Sequence, residues 1–191
     1  MQVRSHLFYG RAVFSVALLT TFAVPAIYSY SALAMTPKEK SRANRLEALF
    51  SPGGGIESRI VEEIGAARKQ IRVQMYIFTS KRIAEALCQA AKRGVSVEVI
   101  LDKSQEKATY GPWRTMRRDG VNVYFDSDHE TANSKIVLID DRVVITGSYN
   151  FTKAAEEKNA ENVLIVQDRS VFQAYRESFE NHMAHARKAA G

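Results

Sequence analysis

Residues 130–152, ETANSKIVLIDDRVVITGSYNFT, hold a dense set of side chains able to handle a charged substrate. Lys135 and Asp140 bracket four apolar residues, Ile136 to Ile139. On a strand, Lys135, Val137 and Ile139 share one face, while Ile136 and Leu138 share the other. A lysine opening such a strand carries its ammonium at the strand's end, where loops converge. Ser148 and Asn150 follow a second apolar stretch, and Glu161 stands at the mouth of a third. An ammonium and neutral donors are suited to holding phosphoryl oxygens as charge builds on them. The alternative reading of the same residues is an edge strand with a solvated lysine, a turn aspartate and capping Ser and Asn.

The elements that must position these groups can be read from periodicity. Arg45 to Phe50 is a short strand closed by the turn signal Ser51-Pro52-Gly53-Gly54-Gly55. Ile56, Ile60, Val61 and Ile64 recur at helical spacing, predicting a helix over 56–69. A strand over 71–78, a helix over 82–93 stopped by Gly94, and a strand over 95–101 complete a β-α-β-α-β unit. A short helix over 114–118 and a strand over 121–125 come next. Strands 135–139 and 143–146 form a hairpin around Asp140-Asp141-Arg142. A strand over 163–167 and a closing helix over 171–188 finish the chain. The fold class is therefore α/β, a mixed sheet with helices on both faces, in a single domain over 45–191.

With these elements in order, the segment resembles the phospholipase D superfamily, in particular its small bacterial endonuclease members. Their motif is written His-x-Lys-x4-Asp, then Gly-Ser-x-Asn-Phe-Thr, then Asn-x-Glu-Asn. The matching residues are Lys135, Asp140, Gly147, Ser148, Asn150, Phe151, Thr152, Asn159, Glu161 and Asn162. The likeness extends upstream through Tyr76 to Ser80 and the Ser51-Pro52-Gly53 turn.

The resemblance implies a phospholipase D/nuclease-like fold and hydrolysis of a phosphodiester through a phosphohistidine, with no metal and no cofactor. In that family two motifs meet in one site. This chain carries one copy and no internal repeat, so the resemblance implies a homodimer with the site at the two-fold interface. Lys135, Ser148 and Asn150 would hold the phosphoryl oxygens, and Glu161 would orient the imidazole. Asp140 belongs to the motif and is read as bracing the hairpin or a backbone donor rather than moving protons.

The position two before Lys135, where the family places its catalytic histidine, is Asn133. An amide has no titratable nitrogen near neutral pH, so it neither attacks phosphorus nor carries a proton, although it donates hydrogen bonds. In a two-fold dimer, one substitution removes both nucleophile and acid, and turnover falls by a factor on the order of 10⁶. His129, four residues upstream, would replace the missing group only if its loop folded back. His182 and His185 on the last helix read as a solvated face, and no histidine or carboxylate cluster shows metal-ligand spacing.

The chain has 191 residues, 46% apolar and 25% charged, which excludes wholesale disorder. Residues 1–34 read as an export signal: basic Arg4 and Arg11, an apolar run from Ala12 to Val24, and Ala32-Leu33-Ala34 before the cut. An uncleaved membrane anchor is the alternative, and residues 35–44 read as a flexible lead-in. The expected location is periplasmic or secreted. Cys88, the single cysteine, reads as a small buried hydrophobe.

The net charge of +6 becomes +4 without the signal, a balance that suits a polyanion such as DNA or RNA. Lys81, Arg82, Lys92, Arg93, Arg114, Arg117 and Arg118 are candidate phosphate contacts, with Trp113 or Tyr110 stacking on bases. A phospholipid is the second substrate to consider, and a non-catalytic nucleic-acid-binding protein is the reading from outside the enzymes.

Overall fold

A computed structural model describes residues 45–109 and 111–190. The expected signal (1–34), the lead-in (35–44) and Tyr110 lie outside the described residues. Among the described residues no helix is long and apolar enough to cross a membrane.

Helix α1 (Ile56–Ala66) forms because Ile56, Ile60 and Ile64 fall on one face, and all three are fully buried. Each such side chain removed from water stabilises the fold by about 1.5–3 kcal/mol before entropy is counted. Helix α2 (Lys81–Lys92) begins at Ser80, whose hydroxyl accepts the Ile83 N–H at 3.1 Å, and buries Ile83, Leu87 and Cys88. It stops where Gly94 takes φ 87°, a conformation that favours glycine. A short helix α3 (Trp113–Arg118) buries Trp113 and Met116.

The strands are β1 (Leu46–Ser51), β2 (Gln70–Met75), β3 (Ser96–Asp102), β4 (Asn122–Asp126), β5 (Lys135–Ile139), β6 (Val143–Gly147), β7 (Glu161–Val166) and β8 (Arg187–Lys188). They form one sheet in the order β1-β7-β6-β5-β2-β3-β4-β8. The pairs β2–β3 and β3–β4 are parallel and the others antiparallel, so the sheet is mixed as expected. Beyond the expected elements come a 3₁₀ turn, Lys103–Lys107, and helix α4 (Lys153–Glu157), which Thr152 caps by accepting the Ala155 N–H at 3.1 Å.

The alternation read along β5 separates two cores. Val137 and Ile139 join α1, α2 and α3 on one face. Ile136 and Leu138 pack with Phe172 and Phe179 of α5 (Arg169–His185) on the other. The closing helix was expected to reach Lys188 but ends at His185. There the chain turns so that Arg187 and Lys188 pair with Phe125 and Tyr124 of β4, and tertiary pairing overrides helical periodicity.

Candidate functional site

Strands β5 and β7 begin, and β2, β3, β4 and β6 end, at one edge of the sheet. Ligands of open α/β sheets bind outside the carboxyl ends of the parallel strands, and this is that edge. Met75 of β2 pairs with Lys135, Gly147 of β6 with Val163, and Ser51 of β1 with Glu161, so the register sets these groups in one row.

Lys135 is half-buried with its ammonium 5.2 Å from the centre of the Tyr76 ring. It donates to the Asn133 backbone carbonyl at 2.7 Å and to the Asn133 side-chain oxygen. Burial pushes the Lys135 pKa below the ordinary lysine value, while the charge of Glu161 acts in the opposite sense.

Glu161 is the hub of the row. Its Oε2 accepts from the Ser148 hydroxyl at 2.5 Å and its Oε1 from the Asn159 amide at 3.0 Å. The Ser148 oxygen in turn accepts the Asn162 N–H at 3.1 Å. This approach depends on Gly147, because a Cβ there would lie 2.2 Å from the Asn162 carbonyl oxygen. Asn150 accepts the Ile77 N–H through its side-chain oxygen at 3.3 Å, which leaves its NH₂ as the donor for a ligand.

The loop carrying Asn133 is fixed by buried carboxylates that sequence reasoning missed. Asp102 of β3 accepts the Ala132 N–H at 2.8 Å, and the Ser134 carbonyl accepts the Tyr76 N–H at 3.1 Å. Upstream, Asp126 of β4 accepts the His129 N–H at 3.3 Å. The available signal was an acid closing each of two apolar strands, VEVILD and NVYFD.

Asp140 sits at the other end of β5. Its carboxylate accepts backbone N–H bonds from Arg68 at 2.7 Å, Lys69 at 2.7 Å and Gln70 at 3.1 Å, fastening the hairpin to the start of β2. Burial works against its charge, but these bonds and the Arg142 charge hold its pKa below the usual carboxylate range. At about 3.4 Å per residue along β5, it lies roughly 17 Å from Lys135. The motif's aspartate is thus a brace outside the reacting site.

The basic residues of α3 stand apart too. Arg114 stacks over the Trp113 ring at 4.2 Å, Arg118 pairs with Asp119 at 3.0 Å, and Arg117 is exposed. None of the three hydrogen-bonds Lys135, Ser148, Asn150 or Glu161. Trp113 is buried edge-on against Phe125, so it is a core residue and not a base-stacking platform. His182 and His185, expected on a solvated face, are largely buried beside Asp126, and His129 joins them there. That placement ties His129 to Asp126 and leaves Lys135 without an imidazole partner among the described residues.

A lysine, a serine, an asparagine and a glutamate thus stand in a row at one edge of a mixed α/β sheet, and the donors among them are able to hold an anion. The family described as "Cardiolipin synthase, PLD-like domain" matches residues 60–183. Phospholipase D of Rickettsia felis is 35% identical over 141 residues, covering 74% of this chain and 70% of that protein. Human mitochondrial cardiolipin hydrolase is 32% identical over 123 residues, covering 64% of this chain and 49% of its own. The crystal structure of Nuc, a phospholipase D family member from Salmonella typhimurium, superposes with a TM-score of 0.73 at 28% identity, covering 78% of this chain and 99% of that one. NucT from Helicobacter pylori, at 21% identity and TM-score 0.70, shares the fold over 76% of this chain and 99% of that chain. This chain belongs to the phospholipase D superfamily, a group of phosphodiesterases.

Proposed function

We propose that this protein is a phospholipase D-type phosphodiesterase of the endonuclease branch, exported, binding DNA or RNA, and stalled in cleavage by Asn133. The observation that carries this reading is the row of Lys135, Ser148, Asn150 and Glu161 at one sheet edge, with Lys135 donating to Asn133. Lys135 reaches a side chain that accepts from it where an attacking imidazole would stand, and Ser148 is held beside it in the row by Glu161. The intact cycle is metal-independent: one imidazole attacks phosphorus, and a second protonates the leaving oxygen and then activates water.

The second imidazole would come from a second copy, in a homodimer with the site at its two-fold interface. Leu46 and Phe50 support this, being exposed on the edge strand β1 at 70% and 64%. Phe50 pairs with Asn162, next to Glu161, so the uncovered apolar stripe borders the site. An isologous contact that covers the stripe would bring a second copy to the side of the sheet that carries Glu161, where β1 lies three strand spacings from the Lys135 strand.

The test is Asn133→His, assayed on plasmid DNA without added Mg²⁺ and quenched in acid-free denaturant to trap phosphohistidine. Cleavage and a trapped phosphohistidine are expected from the variant and from the parent neither. Cleavage by the parent at a comparable rate would overturn the reading. The names of the Rickettsia and human relatives favour a second substrate, a phospholipid. Headgroup release from cardiolipin-containing liposomes, run beside the plasmid, separates the two.

A further inference from the structure

Beyond the Lys135 row, a second cluster lies at the same sheet edge. Asp126, the last residue of β4, is completely buried. Three imidazoles face its carboxylate: His182 Nδ1 at 2.7 Å, His129 Nδ1 at 3.0 Å and His185 Nε2 at 3.4 Å. These three are all the histidines of the described residues, and their ring centres lie 4.7, 5.1 and 5.5 Å apart. One ligand atom from each of the four residues falls within 4.8 Å of every other.

A buried carboxylate needs its lone pairs filled, and the His129 backbone N–H together with one imidazole would do much of that. Three rings exceed the requirement. One oxygen and three imidazole nitrogens are instead the donor set of a four-coordinate zinc-class ion. Bonds of about 2.0–2.1 Å place tetrahedral ligand atoms roughly 3.3–3.4 Å apart, within the range the cluster already spans. Each ring needs only to carry its proton on the nitrogen away from the centre. On that outer side the His185 Nδ1 stands 4.0 Å from the Asp128 carboxylate, beyond hydrogen-bond distance but in the direction where metal-bound histidines find an outer-shell acceptor.

The surrounding structure favours a cation at this point. His182 and His185 lie in the last turn of α5, where the unpaired carbonyls give the helix end its negative character. The β8–β4 pairing directly after α5 fixes that turn against Asp126. His129 leaves a way in, its side chain being 49% exposed.

We propose that Asp126, His129, His182 and His185 bind one divalent transition-metal ion of the zinc class, which ties the end of α5 to the loop leading to Asn133. The ion is structural. Strand β4 lies three strand spacings from β5, roughly 14 Å, so the phosphodiester chemistry does not pass through it, and the inference stands apart from what the Lys135 site does.

The test uses the full chain, stripped with chelator and dialysed, then titrated with Zn²⁺ by calorimetry and with Co²⁺ by visible absorbance. The expected results are one equivalent bound, the intense d–d bands of tetrahedral Co²⁺, and a Tm raised by about 5 °C or more at a hundredfold excess over Kd. His182→Gln and His129→Gln should each weaken binding at least about 10- to 100-fold. His6→Gln, which alters the chain's remaining histidine, should leave it unchanged. Should His182→Gln fail to fold, His129→Gln, on the exposed rim, carries the same comparison. Absence of stoichiometric binding, weak octahedral Co²⁺ bands, or an affinity indifferent to His129→Gln would each overturn the proposal.

Discussion

Ser148 gives its hydroxyl proton to Glu161 across 2.5 Å, so the clamp's neutral donor is committed to a carboxylate before any substrate arrives. The family resemblance leads one to expect Ser148 to face phosphate directly. In this chain it does so only by exchanging partners. Glu161 therefore opposes anion binding while serving any imidazole placed beside it.

That opposition predicts effects of opposite sign for one substitution. Glu161→Gln removes a negative charge near Lys135 and should tighten binding of a DNA oligonucleotide to the parent protein by about 3- to 10-fold. In the Asn133→His background it should lower kcat by about 10²- to 10⁴-fold, since a positioned acid–base pair is lost. Fluorescence anisotropy and single-turnover cleavage read the two arms, and a loss of affinity with Glu161→Gln would contradict the account.

Lys135 is the cation at the centre of the row, and binding should depend on it in a salt-dependent way. Lys135→Met should reduce the slope of log K against log[salt] for duplex DNA by about 0.9 per chain. The equivalent loss at Arg117 should be smaller if α3 stands outside the path of the strand. Anisotropy titrations across a KCl series check both.

Gly147 holds the closest backbone approach in the site. Gly147→Ala places a methyl group against the Asn162 carbonyl, so β6 and β7 must separate. We expect a loss of about 1–3 kcal/mol in stability and a weakened Ser148–Glu161 contact. The urea midpoint and oligonucleotide affinity should fall together, and Ser148→Ala, which loses the Glu161 and Asn162 hydrogen bonds without forcing the strands apart, should cost less stability.

Asp140 should reveal itself in acid. Its folded pKa lies below the ordinary carboxylate value near 3.9. The stability it contributes is thus present above that value and is lost as pH falls through the folded pKa. Asp140→Asn keeps a residue that tolerates the φ of 51° here but loses charge-assisted bonds. It should cost about 1–2 kcal/mol at pH 7, at the low end because the site is partly solvated. Its urea midpoint should also vary less than the parent's between about pH 5 and 2.

The residues that reveal fold and site are of different kinds. Period-two alternation across Lys135 to Ile139 was enough to assign faces, because each side of β5 meets its own core. The 3.6-residue spacing of Ile56, Ile60 and Ile64 marked α1 for the same reason. Lys135, Ser148, Asn150 and Glu161 were legible because they lie within one stretch and its neighbouring strand. The Asp126 cluster was not, since its members lie up to 59 positions apart and only the antiparallel return of α5 unites them. Trp113 misled because an aromatic residue among arginines has the composition of a nucleic-acid surface, whereas its ring faces Phe125. The role of Asp140 was visible in outline, and its three backbone partners needed the register of β2 and β5 to appear.

The loop between Asp126 and Lys135 is held at Ala132 by Asp102 and at His129 by Asp126, so other residues maintain the place that position 133 occupies. The consequence is genetic. Asparagine and histidine codons differ only in their first base, and position 133 is exposed. Under the proposed function, a single A-to-C transversion separates a lineage that holds phosphodiesters from one that cuts them, and the reverse step is equally short.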